Sequence, residues 1–242
     1  MNLLRGLAIA LALGTSTLSA HAGNVLIVLS DSDRLDLKDG KVFKTGFYLN
    51  ELMQPVQALL DAGHEKLGLM SSDRSPVISL ARVEQIGYEH FDAVYVPGGH
   101  APMQDLLVSS ELGKLLTWFH ENGRTTALAC HGPIALLSTL PDAQGFVTQF
   151  ETAGTAKAQA GWVYGGYRFT VFSNQEEEMA KGLLGGGEMK FYPQDALTQA
   201  GAQFSQAHVS FSAHIVTDRE LITGQNPASA PAVARELLAR LK

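Results

Sequence analysis

The sequence predicts an α/β fold, a single domain built on a mostly parallel sheet with helices on both faces. Short apolar runs rich in valine, leucine and isoleucine alternate with stretches whose apolar residues recur at helical spacing, the order that βα units produce. The runs are continuous rather than alternating, as strands covered on both faces are. No internal repeat, low-complexity tract or linker interrupts the pattern.

Residues 25–29 read as the first buried strand. Residues 47–62 place Leu49, Leu52, Met53, Val56, Leu59 and Leu60 at helical spacing, and Pro55 among them predicts a kink or a local loosening. A second strand is predicted over 66–70 and a third over 93–96, which runs into Pro97-Gly98-Gly99. Residues 106–119 look helical, 125–129 form a strand that ends at Cys130, and 132–140 restart a helix. Short late strands at 169–172 and 221–223 and an amphipathic helix at 228–241 close the domain. Gly185-Gly186-Gly187 reads as a helix-ending turn. In such sheets, sites form at the carboxyl ends of strands.

The first 22 residues have a different character. Arg5, an apolar run over 6–14 and the small-x-small triplet Ala20-His21-Ala22 predict a cleaved export signal, leaving a domain of 23–242 in the periplasm or outside the cell. The run falls short of the roughly 18–20 apolar residues of a membrane span.

The whole chain has 242 residues, with 18 basic against 24 acidic side chains and a formal charge of −6. No basic stripe appears, which argues against nucleic acid and against anionic lipid, and leaves a small molecule or a protein as substrate. No phosphate-binding glycine loop follows the first strand, so no nucleotide cofactor is expected. His64, His90, His100, His120, His208 and His214 lie scattered without zinc-type spacing, so no metal is expected either.

The chain has one cysteine, which rules out an internal disulfide and leaves either an inert buried thiol or a reactive one. Position favours reactivity. Leu128-Ala129-Cys130-His131-Gly132-Pro133 turns a strand sharply into a helix, which holds the turn residue in a strained, exposed pose. The N–H groups opening the following helix are expected to favour thiolate. Taken alone, the segment would equally suit a buried cysteine before a Gly-Pro turn. Its company matters more. Gly98, Gly99 and His100 follow a strand, where backbone N–H groups can approach an oxyanion. Glu51 sits near the apolar face of the first helix and, facing Cys130, would tune the thiol. Glu176, Glu177 and Glu178 charge the first turn of a late helix, and one of them could orient the His131 ring.

With those segments in view, the sequence resembles the ThiJ/PfpI superfamily, which has a class I glutamine amidotransferase-like, flavodoxin-like fold. The resemblance is carried by residues 44–52, 96–100, 129–133 and 221–230 in that order. Lys44-Thr45-Gly46 and Cys130-His131-Gly132-Pro133 look like the branch of glutathione-independent glyoxalases and heat-shock chaperones. That resemblance implies Cys130 as nucleophile, His131 as its base, Glu51 as the carboxylate touching it and Gly99 as oxyanion donor. Glu177 falls at the third acidic position, with Glu176 one residue away.

Departures qualify the transfer. His214-Ile215-Val216 lacks the late His-x-Glu of glutamine amidotransferases, which argues against glutamine hydrolysis, and Leu128 replaces a glycine common in the elbow. Asn50 and Gln54 differ from residues common in the branch, and the stretch between Met70 and Ile86 is short where larger members carry a cap, which implies a more open pocket. The leading expectation is conversion of a small α-oxoaldehyde such as methylglyoxal to a hydroxy acid. The alternatives are a cysteine peptidase or amidase, and a holding chaperone or oxidative-stress protein with Cys130 as sensor. Relatives suggest a homodimer.

Overall fold

The computed structural model describes residues 23–67 and 77–241. The expected signal and the end of the second predicted strand lie outside the described residues. In chain order the first elements are β1 (Asn24–Ile27), β2 (Arg34–Asp36), β3 (Val42–Lys44), α1 (Leu49–Asp61), β4 (Glu65–Leu67), α2 (Leu80–Ile86) and β5 (Ala93–Val96). Next come α3 (Ser110–Glu121), β6 (Thr125–Ala129), α4 (Ala143–Ala153), β7 (Arg168–Phe169) and α5 (Asn174–Ala180). The chain ends with α6 (Pro193–Ala200), β8 (Gln203–Phe204), β9 (Ile215–Asp218), β10 (Leu221–Gly224) and α7 (Ala230–Arg240).

The main sheet runs β4-β1-β5-β6-β10-β9 and is parallel except for β9, which lies antiparallel on the β10 edge. Taken in chain order, its parallel strands fall in the sequence second, first, third, fourth, fifth, which is the flavodoxin-like order. The predicted α/β class is therefore the observed one. Side chains alternate between faces as strand geometry requires. Val25, Ile27, Tyr95, Ala129 and Ile222 pack with Leu52 and Val56 of α1 and Val233 and Leu237 of α7. Leu26, Val28, Val94, Val96 and Leu128 meet Leu112, Leu115 and Phe119 of α3 and Phe146 of α4 on the other face. Helices cover both faces, so the central strands β1, β5 and β6 read as largely apolar runs. No helix among the described residues is long and apolar enough to cross a membrane.

Several expectations need correction. Pro55, expected to kink or loosen its helix, lies inside α1, which runs without interruption from Leu49 to Asp61. Proline removes the N–H that would bond the carbonyl four residues earlier, that of Glu51. The Tyr95 hydroxyl donates to that carbonyl instead, at 2.6 Å. The predicted helix over 106–119 divides into a 3-10 turn, Leu106–Val108, and α3, because Ser109 is extended and caps α3 by accepting from the Leu112 N–H at 3.3 Å. The segment after the elbow is a buried 3-10 helix, Gly132–Thr139, in which the Ser138 and Thr139 hydroxyls donate to the Ala135 and Leu136 carbonyls. Of the predicted strand over 169–172, only Arg168–Phe169 pairs, with β8 in a separate two-stranded ribbon. Beyond it, the Phe172 N–H donates to the Cys130 carbonyl at 3.0 Å. The β2–β3 hairpin, α4, α6 and β9 were not foreseen.

Candidate active site

The carboxyl ends of β5, β6 and β10 converge on Cys130. Its φ of 56° is left-handed, a conformation that L residues with a Cβ rarely adopt. Bonds on either side hold it there: its N–H donates to the Gly224 carbonyl at 2.8 Å, and its own carbonyl accepts from Phe172. This is the elbow that the residues around Cys130 predict. Cys130 is only 4% exposed, which corrects the exposed pose expected at the elbow, whereas the expectation of a more open pocket rests on the short stretch between Met70 and Ile86. Residues 70–76 of the short segment behind that expectation lie outside the described residues. A cavity of about 800 Å³, lined by Leu29, Asp31, Thr45, Phe47, Leu80 and Asp105 among others, lies at the end of β1.

His131 follows the thiol directly, with Nδ1 3.2 Å from Sγ and Nε2 2.9 Å from Glu177 Oε1. An ionised carboxylate can only accept, so Nε2 carries the ring proton and Nδ1 is left to accept the proton of the thiol. Phe172 stacks on the ring at 4.8 Å and holds its plane. The structure also divides the acidic run. Glu176 completes a capping box with Ser173 and accepts from the Phe211 N–H and the Asn226 amide. Glu177, one position on, turns to His131. Glu178 meets the Tyr192 hydroxyl at the surface.

Glu51 reaches the thiol from α1. Its Oε2 accepts from the Gly98 N–H at 2.8 Å, while Oε1 has no ordinary hydrogen-bond partner. Gly98 and Gly99 are there because nothing larger fits. A Cβ on Gly98 would lie 2.5 Å from the Cys130 Cβ and 2.6 Å from Glu51 Oε2, and one on Gly99 (φ 93°) would lie 2.2 Å from the Gly46 carbonyl oxygen. His100, next along, lays its ring 4.3 Å from that of His131, with Nε2 3.8 Å from Glu177 Oε2 and Phe43 of β3 against its edge. His100 is thus not one of a scattered set. It forms a cluster with His131 and Glu177 that sequence spacing does not reveal. The aromatic supports Phe43 and Phe172 and the Tyr95 hydroxyl also went unnoticed, since none carries a motif.

Electrostatics corrects one expectation. The thiol is not shifted toward thiolate: burial pushes Cys130 well above the ordinary thiol range, and the Glu51 carboxyl adds to the effect. The Gly99 N–H works the other way and loses. A 3-10 helix of buried residues does not offset the desolvation of a sulfur at 4% exposure. Burial raises Glu51 to about 7, against the lowering action of Cys130 and the Gly98 N–H. Burial also pushes at Glu177, but His131 and His100 outweigh it and hold the carboxyl down at about 2. His131 is lowered, chiefly by burial. At rest the three groups are therefore a thiol, a neutral imidazole and a carboxylate, an arrangement in which a histidine could take the thiol proton on demand.

A cysteine on a strained elbow, relayed through histidine to glutamate on a flavodoxin-like sheet, defines an α/β protein of the class I glutamine amidotransferase-like kind. A DJ-1/PfpI family model matches residues 42–140, which span α1, the glycine loop and the elbow. The protein/nucleic acid deglycase HchA of Staphylococcus aureus is 26% identical over 235 residues, covering 84% of this chain and 74% of its own. Among solved structures, the Rapid Encystment Protein 24 KDa of Francisella tularensis aligns with a TM-score of 0.69 at 21% identity, over 91% of this chain and 99% of that one. Glyoxalase III of Candida albicans aligns with a TM-score of 0.62 at 20% identity, over 92% and 98%. Over residues 42–140, and in its order of strands, the chain is similar to the ThiJ/PfpI, or DJ-1/PfpI, superfamily.

Proposed function

We propose that the protein converts small α-oxoaldehydes, methylglyoxal among them, to 2-hydroxy acids without glutathione or any other cofactor. The observation that carries this reading is a thiol, 4% exposed, that meets a neutral histidine on one side and a carboxyl group poised near neutrality on the other. The names of the relatives, a deglycase and a glyoxalase III, concern carbonyl chemistry and support it.

The His131 Nδ1 takes the thiol proton as sulfur attacks the aldehyde carbon, forming an S–C bond and a hemithioacetal. The oxygen charge that develops falls beside the Gly99 N–H, and protonated Glu51 can supply it with a proton. A base, His131 or the Glu51 carboxylate, then removes the hydrogen from the former aldehyde carbon. The resulting enediol is reprotonated at the neighbouring carbon, which leaves a thioester. Water cleaves the thioester, and its proton returns to sulfur as the acid leaves. One carbon is oxidised as its neighbour is reduced, so no external oxidant is required. A base near neutral pKa is what such transfers need.

Acyl transfer from a peptide would use the same relay, but a sulfur this deeply set does not receive a folded polypeptide without local opening. Nothing in the geometry singles out the chaperone reading. The predicted leader over 1–22 supports action in the periplasm or outside the cell, and a small, diffusible aldehyde suits a chain with no basic binding surface. The test is lactate production from methylglyoxal in the absence of glutathione. Cys130→Ala is expected to lower the rate by at least about a thousandfold. Turnover retained in that variant overturns the mechanism.

A further inference from the structure

Beyond the thiol, three donor atoms converge from segments far apart in sequence. His100 comes from the loop after β5, His131 from the elbow and Glu177 from α5. One ligand atom of each lies within 4.8 Å of the others. His131 Nε2 is 2.9 Å from one carboxylate oxygen and His100 Nε2 is 3.8 Å from the second. Zinc bonds imidazole and carboxylate at about 2.0–2.2 Å, which places tetrahedral ligand atoms roughly 3.4 Å apart. The two measured separations, one to each carboxylate oxygen, bracket that spacing, and with all three donors within 4.8 Å of one another rotation of the side chains can bring them onto one ion. No lysine or arginine among the described residues pairs with Glu177, whose ionic partners are the two histidines. His100, at 15% side-chain exposure, is the way in, and the other two donors are 2% exposed. Two imidazoles and one carboxylate with a fourth position open match the ligand count of a three-residue zinc site.

We propose that His100, His131 and Glu177 bind one Zn²⁺ ion that reversibly switches off the thiol. The ion takes the lone pair of His131 at Nε2, and the ring proton moves from Nε2 to Nδ1. No proton is gained or lost and no electron is transferred. The nitrogen 3.2 Å from Sγ changes from acceptor to donor, so it no longer takes the proton of Cys130. Glu177, occupied by the metal, no longer orients the ring. The proposal concerns the donor set and is independent of which substrate the thiol serves.

Zn²⁺ binding by the substrate-free protein, read by competition with a chromophoric chelator, tests it directly. One equivalent is expected in the wild type and in Cys130→Ala alike, with affinity at least tenfold weaker in His100→Ala and in Glu177→Gln. Unfolding midpoints identify any variant that has lost its fold. Cobalt(II) supplies a readout that needs no variant: nitrogen and oxygen donors give d–d bands without a sulfur-to-metal charge-transfer band. Absence of stoichiometric binding, full affinity in folded His100→Ala, or a charge-transfer band that vanishes in Cys130→Ala would each overturn the site. Failure of methylglyoxal turnover would leave this binding result untouched.

Discussion

Among the described residues, a histidine meets a glutamate at 2.9 Å at each end of the same sheet, buried at one end and half-buried at the other, and only one of these pairs faces a nucleophile. Beyond the carboxyl end of β6, His131 Nε2 lies 2.9 Å from Glu177 Oε1. At the opposite end, just before β10 begins, His120 Nδ1 lies 2.9 Å from Glu220 Oε1. The separation is the same, and the surroundings are not. The second pair is closed by the Tyr167 hydroxyl, which lies 3.0 Å from His120 Nδ1 and 2.9 Å from Glu220 Oε1, with the Arg219 guanidinium over the tyrosine ring. It joins the end of α3 to the start of β10 and presents no nucleophile. The first pair has a thiol on the free nitrogen of its histidine, a strained backbone beneath that thiol, and a glycine loop beside it. A histidine–glutamate pair is therefore only a means of fixing a ring. What the ring faces decides whether the result is a brace or a relay.

The largest effect that separates the two follows from removing each carboxylate. Glu177→Gln replaces an acceptor that fixes the His131 tautomer with an amide that can donate as readily as accept. The expected loss in kcat on methylglyoxal is about 10²–10⁴-fold, the usual value of a positioned base. Glu220→Gln is expected to leave kcat within about twofold while lowering stability by about 1–3 kcal/mol, since it disturbs a buried hydrogen-bonded group. Steady-state kinetics and denaturant unfolding on both variants check this. Equal losses of kcat would erase the distinction.

The first of these sites was legible in the sequence and the second was not. Cys130-His131-Gly132-Pro133 and Pro97-Gly98-Gly99-His100 are contiguous, and their residue types are dictated by a crowded backbone, so they could be read directly. The central parallel strands were legible because burial on both faces leaves largely apolar runs. His120, Tyr167 and Glu220 leave no local trace, because each belongs to a different element and only tertiary packing joins them. The same blindness hid the meeting of His100 with Glu177. It also hid the reason Pro55 is tolerated, since the hydroxyl replacing its missing N–H comes from Tyr95, forty residues further on. The thiolate expectation failed because a helix dipole is a local inference, whereas burial is a property of the whole fold.

The thiol site also differs from the brace in its response to pH, through two carboxyls shifted in opposite directions. Glu51, raised to about 7 by burial, holds more protons folded than unfolded, so its contribution declines as pH rises from its unfolded value of about 4.5 through 7. Glu177, held at about 2, contributes above its unfolded value of about 4.5, and that contribution is lost as pH falls toward 2. Glu51→Gln removes the alkaline cost and keeps a neutral side chain beside the sulfur. Relative to wild type, it is expected to gain about 2–3 kcal/mol between pH 5 and pH 8, on the scale of 1.36 kcal/mol per pKa unit. Urea unfolding at the two pH values measures this. A difference that does not change with pH would mean that Glu51 does not titrate between them.

The smallest effect concerns two tyrosines. Tyr167→Phe removes a hydroxyl from the brace, and Tyr95→Phe removes the one that donates to the Glu51 carbonyl at the Pro55 gap. Each change is expected to lower stability by about 1–2 kcal/mol, because each leaves a buried acceptor short of a donor. They should part in function. Releasing the Glu51 carbonyl loosens the turn of α1 that aims Glu51 at Cys130, so Tyr95→Phe should also lower kcat, by a few-fold, whereas Tyr167→Phe should not. The readout is kcat at matched folded fraction, with wild type and Glu51→Gln as references. A further loss on adding Tyr95→Phe to Glu51→Gln, as large as in wild type, would show that the hydroxyl acts other than by aiming that carboxyl. No further loss would make Tyr95 a positioning residue whose influence on the thiol passes through Glu51.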